Sequence, residues 1–111
     1  MKGIEKVSFE IISNVGSARS SFMEAIQYAY QNEFTEARAK IEEGEKLRVK
    51  GHNAHFGLIQ DEAAGNSVEV SLILMHAEDQ LMATETIKIL AEEMIRNYER
   101  MEAIEKKIDG N

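Results

Sequence analysis

An imidazole and a carboxylate stand three positions apart in the apolar segment 71–82. Steps of three and four residues trace one face of a helix, and they predict two apolar stripes here. The first stripe contains Leu72, Met75, Asp79, Met82, Thr86 and Ile89. The second stripe contains Ile73, His76, Gln80, Ala83, Ile87, Leu90 and Met94. Because an ionised group is costly in an apolar stripe without a partner, both the histidine and the aspartate require an explanation.

His76 is a candidate nucleophile, because a neutral imidazole reacts well near pH 7. Met75 and Ala77 beside it are flexible or small, so one ring nitrogen could reach a partner molecule. The polar neighbours Glu78 and Gln80, together with the aspartate between them, could orient the ring. The alternative is a histidine that only fills a core or an interface, and periodicity alone favours that alternative.

Asp79 allows three interpretations. Its helix face could be exposed to solvent, or its carboxylate could pair with a lysine or an arginine. If the first stripe is instead a symmetric interface, copies of Asp79 meet on the axis. Carboxylates in close contact raise one another's pKa or recruit a cation. One carboxylate per chain, completed by water oxygens, suits magnesium better than calcium.

His52 and His55 are three residues apart, a spacing that can bring two imidazoles to one transition metal. No cysteine and no third strong ligand accompanies them. We therefore favour polar-face residues, or residues that line a groove near His76.

Three long helices must position these groups. Apolar spacing predicts a first helix over Ile4–Tyr30 and a second over Glu33–Ala63, with Asn32 as the N-cap of the second. The predicted apolar face of the first helix contains Ile4, Ile11, Val15, Ala18, Phe22, Ala25 and Ala29. Gly65 can end that helix, and Asn66 with Glu69 forms a capping-box pattern. A third helix is then expected from residue 67 to near 107.

The second helix contains Gly44, Gly51 and Gly57, each costing about 1 kcal/mol against alanine in a helix. These glycines allow close helix packing or mark a bend near Gly51. The charged segment 42–48 is expected to be a solvated face.

Short connections between long helices predict antiparallel neighbours. The expected fold is an all-α, up-down-up three-helix bundle, formed as a single domain over residues 1–111. The segment 72–75 is apolar almost all round, more than one bundle requires. The first stripe is therefore predicted to be an oligomer interface, in which one polar position fixes register and copy number.

Composition narrows the possible functions. The 111 residues carry a formal net charge of −7, which disfavours nucleic acid and favours partners with basic patches. The chain has no cysteine, proline or tryptophan, so disulfides and thiolate metal sites are excluded. No apolar run has membrane-spanning length, and the amphipathic start Met1–Lys6 lacks a signal-peptide region. We expect a cytoplasmic protein without direct membrane insertion.

The segment 73–82, ILMHAEDQLM, resembles the signature of the lactose/cellobiose family of enzyme IIA subunits, which belong to the bacterial phosphoenolpyruvate-dependent sugar phosphotransferase system. The segments HNAH at 52–55 and LIQDEAAG at 58–65 are similar to the family's second helix and its turn. The resemblance extends over most of the chain.

The resemblance implies a three-helix bundle that assembles as a homotrimer. It implies that His76 takes a phosphoryl group on Nε2 from the phosphocarrier protein HPr and passes it to a cysteine of the IIB subunit or domain. IIB then phosphorylates a β-linked disaccharide (cellobiose, lactose or chitobiose) as IIC carries it across the membrane. It also implies that three copies of Asp79 share one Mg²⁺ at the trimer axis.

This chain departs from the commonest form of the motif at two positions. Glutamine usually occupies the position of Glu78, and histidine that of Gln80. Glu78 adds negative charge near the acceptor, which would disfavour a phosphoryl dianion, while Gln80 removes a titratable neighbour.

The sequence also leaves two other functions open. One is a non-catalytic trimeric interaction protein in which the histidine and the aspartate only fix register. The other is a histidine phosphotransfer domain of a two-component relay, which normally has lysine and glycine soon after its histidine.

Overall fold

The computed structural model describes residues 3–110, so Met1 and Lys2 of the predicted amphipathic start lie outside the described residues. The described chain contains three α-helices and no strand, which confirms the all-α prediction. Helix α1 spans Gly3–Tyr30, α2 spans Phe34–Ala63 and α3 spans Leu72–Asp109. Within residues 3–110, none of these helices is long and apolar enough to cross a membrane.

Helices α1 and α2 are antiparallel and touch at two glycines. Gly44 lies against the ring of Phe22, and Gly51 lies against Val15, so residue numbers rise along one helix as they fall along the other. Both glycines are buried, and α2 continues through each of them as regular helix. Of the two predicted roles for these glycines, close packing is the one that the structure bears out.

Helix α3 runs parallel to α1, which completes the up-down-up order. The hydroxyl of Thr84 donates a hydrogen bond to the backbone carbonyl of Val15 at 3.4 Å. Two turns further along both helices, Phe22 and Ala91 share a buried cluster. The resulting bundle is slender, about 65 Å long and 20–23 Å across.

The core lies between the three helices and consists mainly of alanine and aliphatic side chains, with Phe22 as its largest buried side chain. On α1, the predicted apolar face is buried almost as expected, except that Ile4 at its start is only half-buried. On α3, the buried residues are Leu74, Ala77, Leu81, Thr84, Ala91 and Ile95. None of these belongs to either predicted apolar stripe. The fully buried face of α3 is therefore a third face, although Ile87 of the second stripe packs against its edge. The alternative in which His76 fills the core of its own chain does not hold, because His76 is exposed.

Helices α2 and α3 both begin later in the chain than predicted. Asn32 is not the N-cap of α2: its φ of 63° places it in the left-handed region, and Glu33 precedes the helix without a side-chain cap. The connection to α3 is longer than predicted, because residues 66–71 are not helical. Ser71 caps α3 instead, and its Oγ accepts a hydrogen bond from the backbone N–H of Leu74 at 3.2 Å. Gly65 has a φ of 91°, in the left-handed conformation predicted for the end of α2.

Candidate functional site

His76 and Asp79 are both exposed, one turn apart near the start of α3. Within residues 3–110, neither side chain makes a hydrogen bond or an ion pair. No lysine or arginine in the described part of the chain therefore pairs with Asp79, which speaks against the predicted ion-pair alternative. The imidazole of His76 is accessible, as a group that reacts with another macromolecule must be.

The first predicted stripe is an exposed apolar face that points away from the core. Leu72 is 84% exposed, Met82 60% and Ile89 62%, while Met75 between them is also more than half exposed. Large aliphatic side chains at these exposures, in one continuous row, are unusual for a surface that contacts only water. Asp79 lies in the middle of this row and is its only charge.

His76 and the two histidines of α2, His52 and His55, lie on different sides of α3. Each residue advances the helix by about 100°, so Glu78 lies about 160° around the axis from His76. His55 Nε2 and Glu78 Oε2 are 2.7 Å apart, which shows that the Glu78 flank faces α2. Within one chain, His52 and His55 therefore do not line a groove with His76.

The two histidines of α2 also do not share a metal. His55 contacts Glu78, whereas the Nδ1 atom of His52 lies 3.6 Å from Glu85. The ring of His52 stacks on Phe56, with centroids 6.3 Å apart and nearly parallel planes. Among the described residues, no group of three or more His, Asp or Glu side chains is arranged to hold a metal ion. The interpretation as polar-face residues agrees with these contacts.

An ion-pair network joins α2 to α3 beyond the histidines. The guanidinium of Arg48 makes two bonds to Glu45, at 2.6 and 2.8 Å, and one to Glu85 at 2.7 Å. Lys88 reaches the same Glu45 carboxylate at 3.3 Å. Segment 42–48 is thus only in part the solvated face that we predicted.

The network changes the ionisation of its central residues. Hydrogen bonding to Arg48 lowers the pKa of Glu45 below its ordinary value, because the guanidinium stabilises the charged form of the carboxylate. The same bond raises the pKa of Arg48, which stays charged in any case.

Sequence reasoning missed this network, although a signal for it was present. Ionisable residues on α2 recur at steps of three, four and three, and acidic residues on α3 recur every seven. The α2 positions are Glu45, Arg48, His52 and His55, and the α3 positions are Glu78, Glu85 and Glu92. Matching spacing on two antiparallel helices indicates a polar seam between them.

Comparison with known proteins decides the family. The family model described as "PTS system, Lactose/Cellobiose specific IIA subunit" matches residues 6–99, which is most of the chain. The chain belongs to this family. It is therefore a IIA-type component of the sugar phosphotransferase system, as its resemblance to the family predicted.

Individual relatives agree with this assignment. The lichenan-specific phosphotransferase enzyme IIA component of Bacillus subtilis strain 168 is 40% identical over 98 residues, covering 88% of this chain and 89% of the relative. The crystal structure of the cellobiose-specific enzyme IIA from Bacillus anthracis has a TM-score of 0.90 at 40% identity, covering 93% of this chain and 94% of that one.

A third relative was solved together with a partner protein. The IIA(chitobiose)–HPr complex of the N,N'-diacetylchitobiose branch of the Escherichia coli phosphotransferase system contains a chain with a TM-score of 0.79 at 29% identity. The match covers 92% of this chain and 99% of that one. The two solved relatives carry different sugar names on one fold, so the fold alone does not specify a sugar.

Proposed function

We propose that this chain is a phosphocarrier that accepts a phosphoryl group on His76. The observation that carries the proposal is the free, exposed imidazole of His76 on a chain of this family. In the reaction, the N–P bond of a donor phosphohistidine breaks and a new N–P bond forms at His76, at Nε2 by resemblance to the family. The scaffold has little covalent work to do, so exposure and positioning are what the transfer requires.

The proposed donor is HPr, and the proposed acceptor is a cysteine of a IIB subunit or domain. An HPr complex of the chitobiose relative supports the first assignment, and membership of the family supports the second. A net charge of −7 suits a donor with a basic contact surface, because opposite potentials accelerate encounter. The sugar is proposed to be a β-linked disaccharide and does not touch this subunit.

We further propose that the chain acts as a homotrimer built on the exposed row of α3 that contains Asp79. Burying Leu72, Met82 and their neighbours would remove a large apolar area from water. A rotation axis along the row would bring three Asp79 carboxylates together. A single chain supplies one carboxylate, whereas three copies with waters offer the all-oxygen set that suits Mg²⁺. The donor set thus fits a shared magnesium ion, which would offset the charge of the three carboxylates.

Intact mass measured at alkaline pH tests the phosphocarrier function, since phosphohistidine is acid-labile. With phosphoenolpyruvate, enzyme I and HPr present, we expect one added phosphoryl group on the wild-type chain and none on the His76→Ala variant. The variant should keep its fold and its helical circular dichroism, because His76 is exposed and makes no hydrogen bond or ion pair within residues 3–110.

Two results would contradict this function. Phosphorylation of the His76→Ala variant would reject the assigned residue. A wild-type chain that stays unmodified beside phosphorylated HPr would favour the non-catalytic interaction protein instead. Transfer from a receiver domain in place of HPr would favour the two-component alternative.

A further inference from the structure

The pair formed by His55 and Glu78 has no role in the function proposed above. Its two atoms, His55 Nε2 and Glu78 Oε2, are 2.7 Å apart, and the His55 side chain is only 19% exposed. A carboxylate that carries a charge only accepts hydrogen bonds, so with Glu78 in that form the Nε2 atom of His55 is the donor. Glu78 also stands where the commonest family motif has a neutral glutamine. This chain thus carries an extra negative charge near its phosphorylation motif and a side chain that holds that charge.

Within one chain the pair is remote from His76, since the two lie on opposite flanks of α3. The exposed row centred on Asp79 runs between these flanks, on the side of α3 away from the core. Rotational symmetry about an axis along this row makes the three α3 helices parallel and in register. Each helix then presents its His76 flank to the Glu78 flank of the next copy. His76 and Glu78 differ in height along the helix axis by about 3 Å, because the helix rises about 1.5 Å per residue.

We propose that the His55–Glu78 pair of one copy forms the wall opposite His76 of the next copy, and that His55 is a positioning residue that holds the Glu78 carboxylate away from the phosphoryl group. The inference rests on the proposed function and on the proposed trimer. A phosphoryl group adds a charge of about −1.5 to −2 at neutral pH, so a free carboxylate in the facing wall opposes its arrival. The hydrogen bond from His55 occupies that carboxylate and fixes its position.

Removing His55 while keeping Glu78 should reveal the repulsion between the free carboxylate and the phosphoryl group. We expect His55→Ala to slow phosphorylation of His76 by HPr about tenfold, the effect of a unit charge that moves a few ångströms closer to the phosphoryl group. Glu78→Gln alone should keep the wild-type rate or exceed it. The double variant His55→Ala/Glu78→Gln should return to the wild-type rate within about twofold, because no charge remains to be held. If the pair were merely structural, the double variant would be as slow as His55→Ala.

Mixed trimers test whether the pair acts across the subunit boundary. Chains carrying His55→Ala are co-refolded with a large excess of His76→Ala chains, which keep the pair but accept no phosphoryl group. In such trimers, every reactive His76 faces an intact wall from its neighbour, so we expect the wild-type rate. The matched control dilutes wild-type chains into an excess of His55→Ala/His76→Ala chains, and these should become slow.

The outcomes separate this inference from the function beneath it. A wild-type chain that is phosphorylated and trimeric, with no recovery in the mixed trimers, overturns the inference and leaves the phosphocarrier function standing. A wild-type chain that is monomeric, or one that takes up no phosphoryl group, overturns the inference together with the proposal on which it depends. Recovery in the mixture and slowing in its control support the inference.

Discussion

Side-chain size at single positions determines how closely α1 and α2 approach. A Cβ atom built at Gly44 would lie 2.5 Å from the ring of Phe22, and one at Gly51 would lie 2.6 Å from a methyl group of Val15. Both of these α1 side chains are fully buried, so neither can swing outward. The absence of a side chain at two positions of α2 is therefore part of the core. It also fixes the register in which α2 presents His55 to α3.

Substitution of Gly44 by alanine tests this close approach. The added methyl group overpacks a site that cannot expand, at a cost of about 1–3 kcal/mol, and the gain in helix propensity offsets only about 1 kcal/mol. We expect a net loss of stability in urea unfolding. Gly57→Ala is the matched control, since nothing lies within 4 Å of its added Cβ, and it should stabilise the chain by about 0.5–1 kcal/mol. Equal effects at the two glycines would contradict the packing argument.

At the scale of elements, sequence reasoning succeeded where one face alone was apolar. The buried face of α1 was predicted almost in full, because its apolar residues follow a single stripe. The start of α3 is apolar on several sides, so periodicity cannot select the side that meets the core. That choice depends on α1 and α2, so spacing alone could not exclude a core position for the stripe that contains His76.

The N-cap of α3 is a second feature that the sequence pattern alone did not predict correctly. Asn66 with Glu69 matched a capping box, yet Ser71 caps the helix with its own side chain. Replacing Ser71 by alanine leaves a backbone N–H at the helix start without its acceptor and should cost about 1 kcal/mol. Asn66→Ala, at the predicted but incorrect N-cap, should change the free energy of unfolding by less than about 0.5 kcal/mol. A larger loss at Asn66 than at Ser71 would favour the start predicted from sequence.

The ion-pair network between α2 and α3 should give the bundle a pH-dependent stability. The folded-state pKa of Glu45 is lower than its ordinary value of 4.5, because Arg48 binds the charged form. Its contribution is therefore fully present above pH 4.5 and is lost as the pH falls through the lowered folded-state value. Glu45→Gln should lower the thermal midpoint at neutral pH, and the difference from wild type should shrink at acidic pH. Glu42→Gln, on the exposed side of the same helix, should show no such change.

At the scale of the whole molecule, the chain exposes an apolar row that its sequence had already singled out. The row centred on Asp79 was predicted as an oligomer interface, and in the single chain it is exposed along its length. The spacing of apolar residues in the sequence could not predict which side chains flank that row. Glu78 follows His76 by two positions, yet its contact with His55 depends on how α2 docks, a property of the folded bundle.

Replacement of Asp79 by leucine tests the proposed assembly and its ion together. If three copies meet at this position, the apolar side chain removes the repulsion between buried carboxylates, and the trimer should be equally or more stable. Sedimentation equilibrium in the presence of EDTA should then show the wild-type trimer weakened and the variant trimer unchanged, since only the wild type depends on a cation. Asp61→Leu, a substitution at an exposed position of α2, is the matched control and should leave the response to EDTA as in wild type. A monomeric Asp79→Leu chain would contradict the axis, because an apolar residue in an apolar row gives three copies no reason to separate.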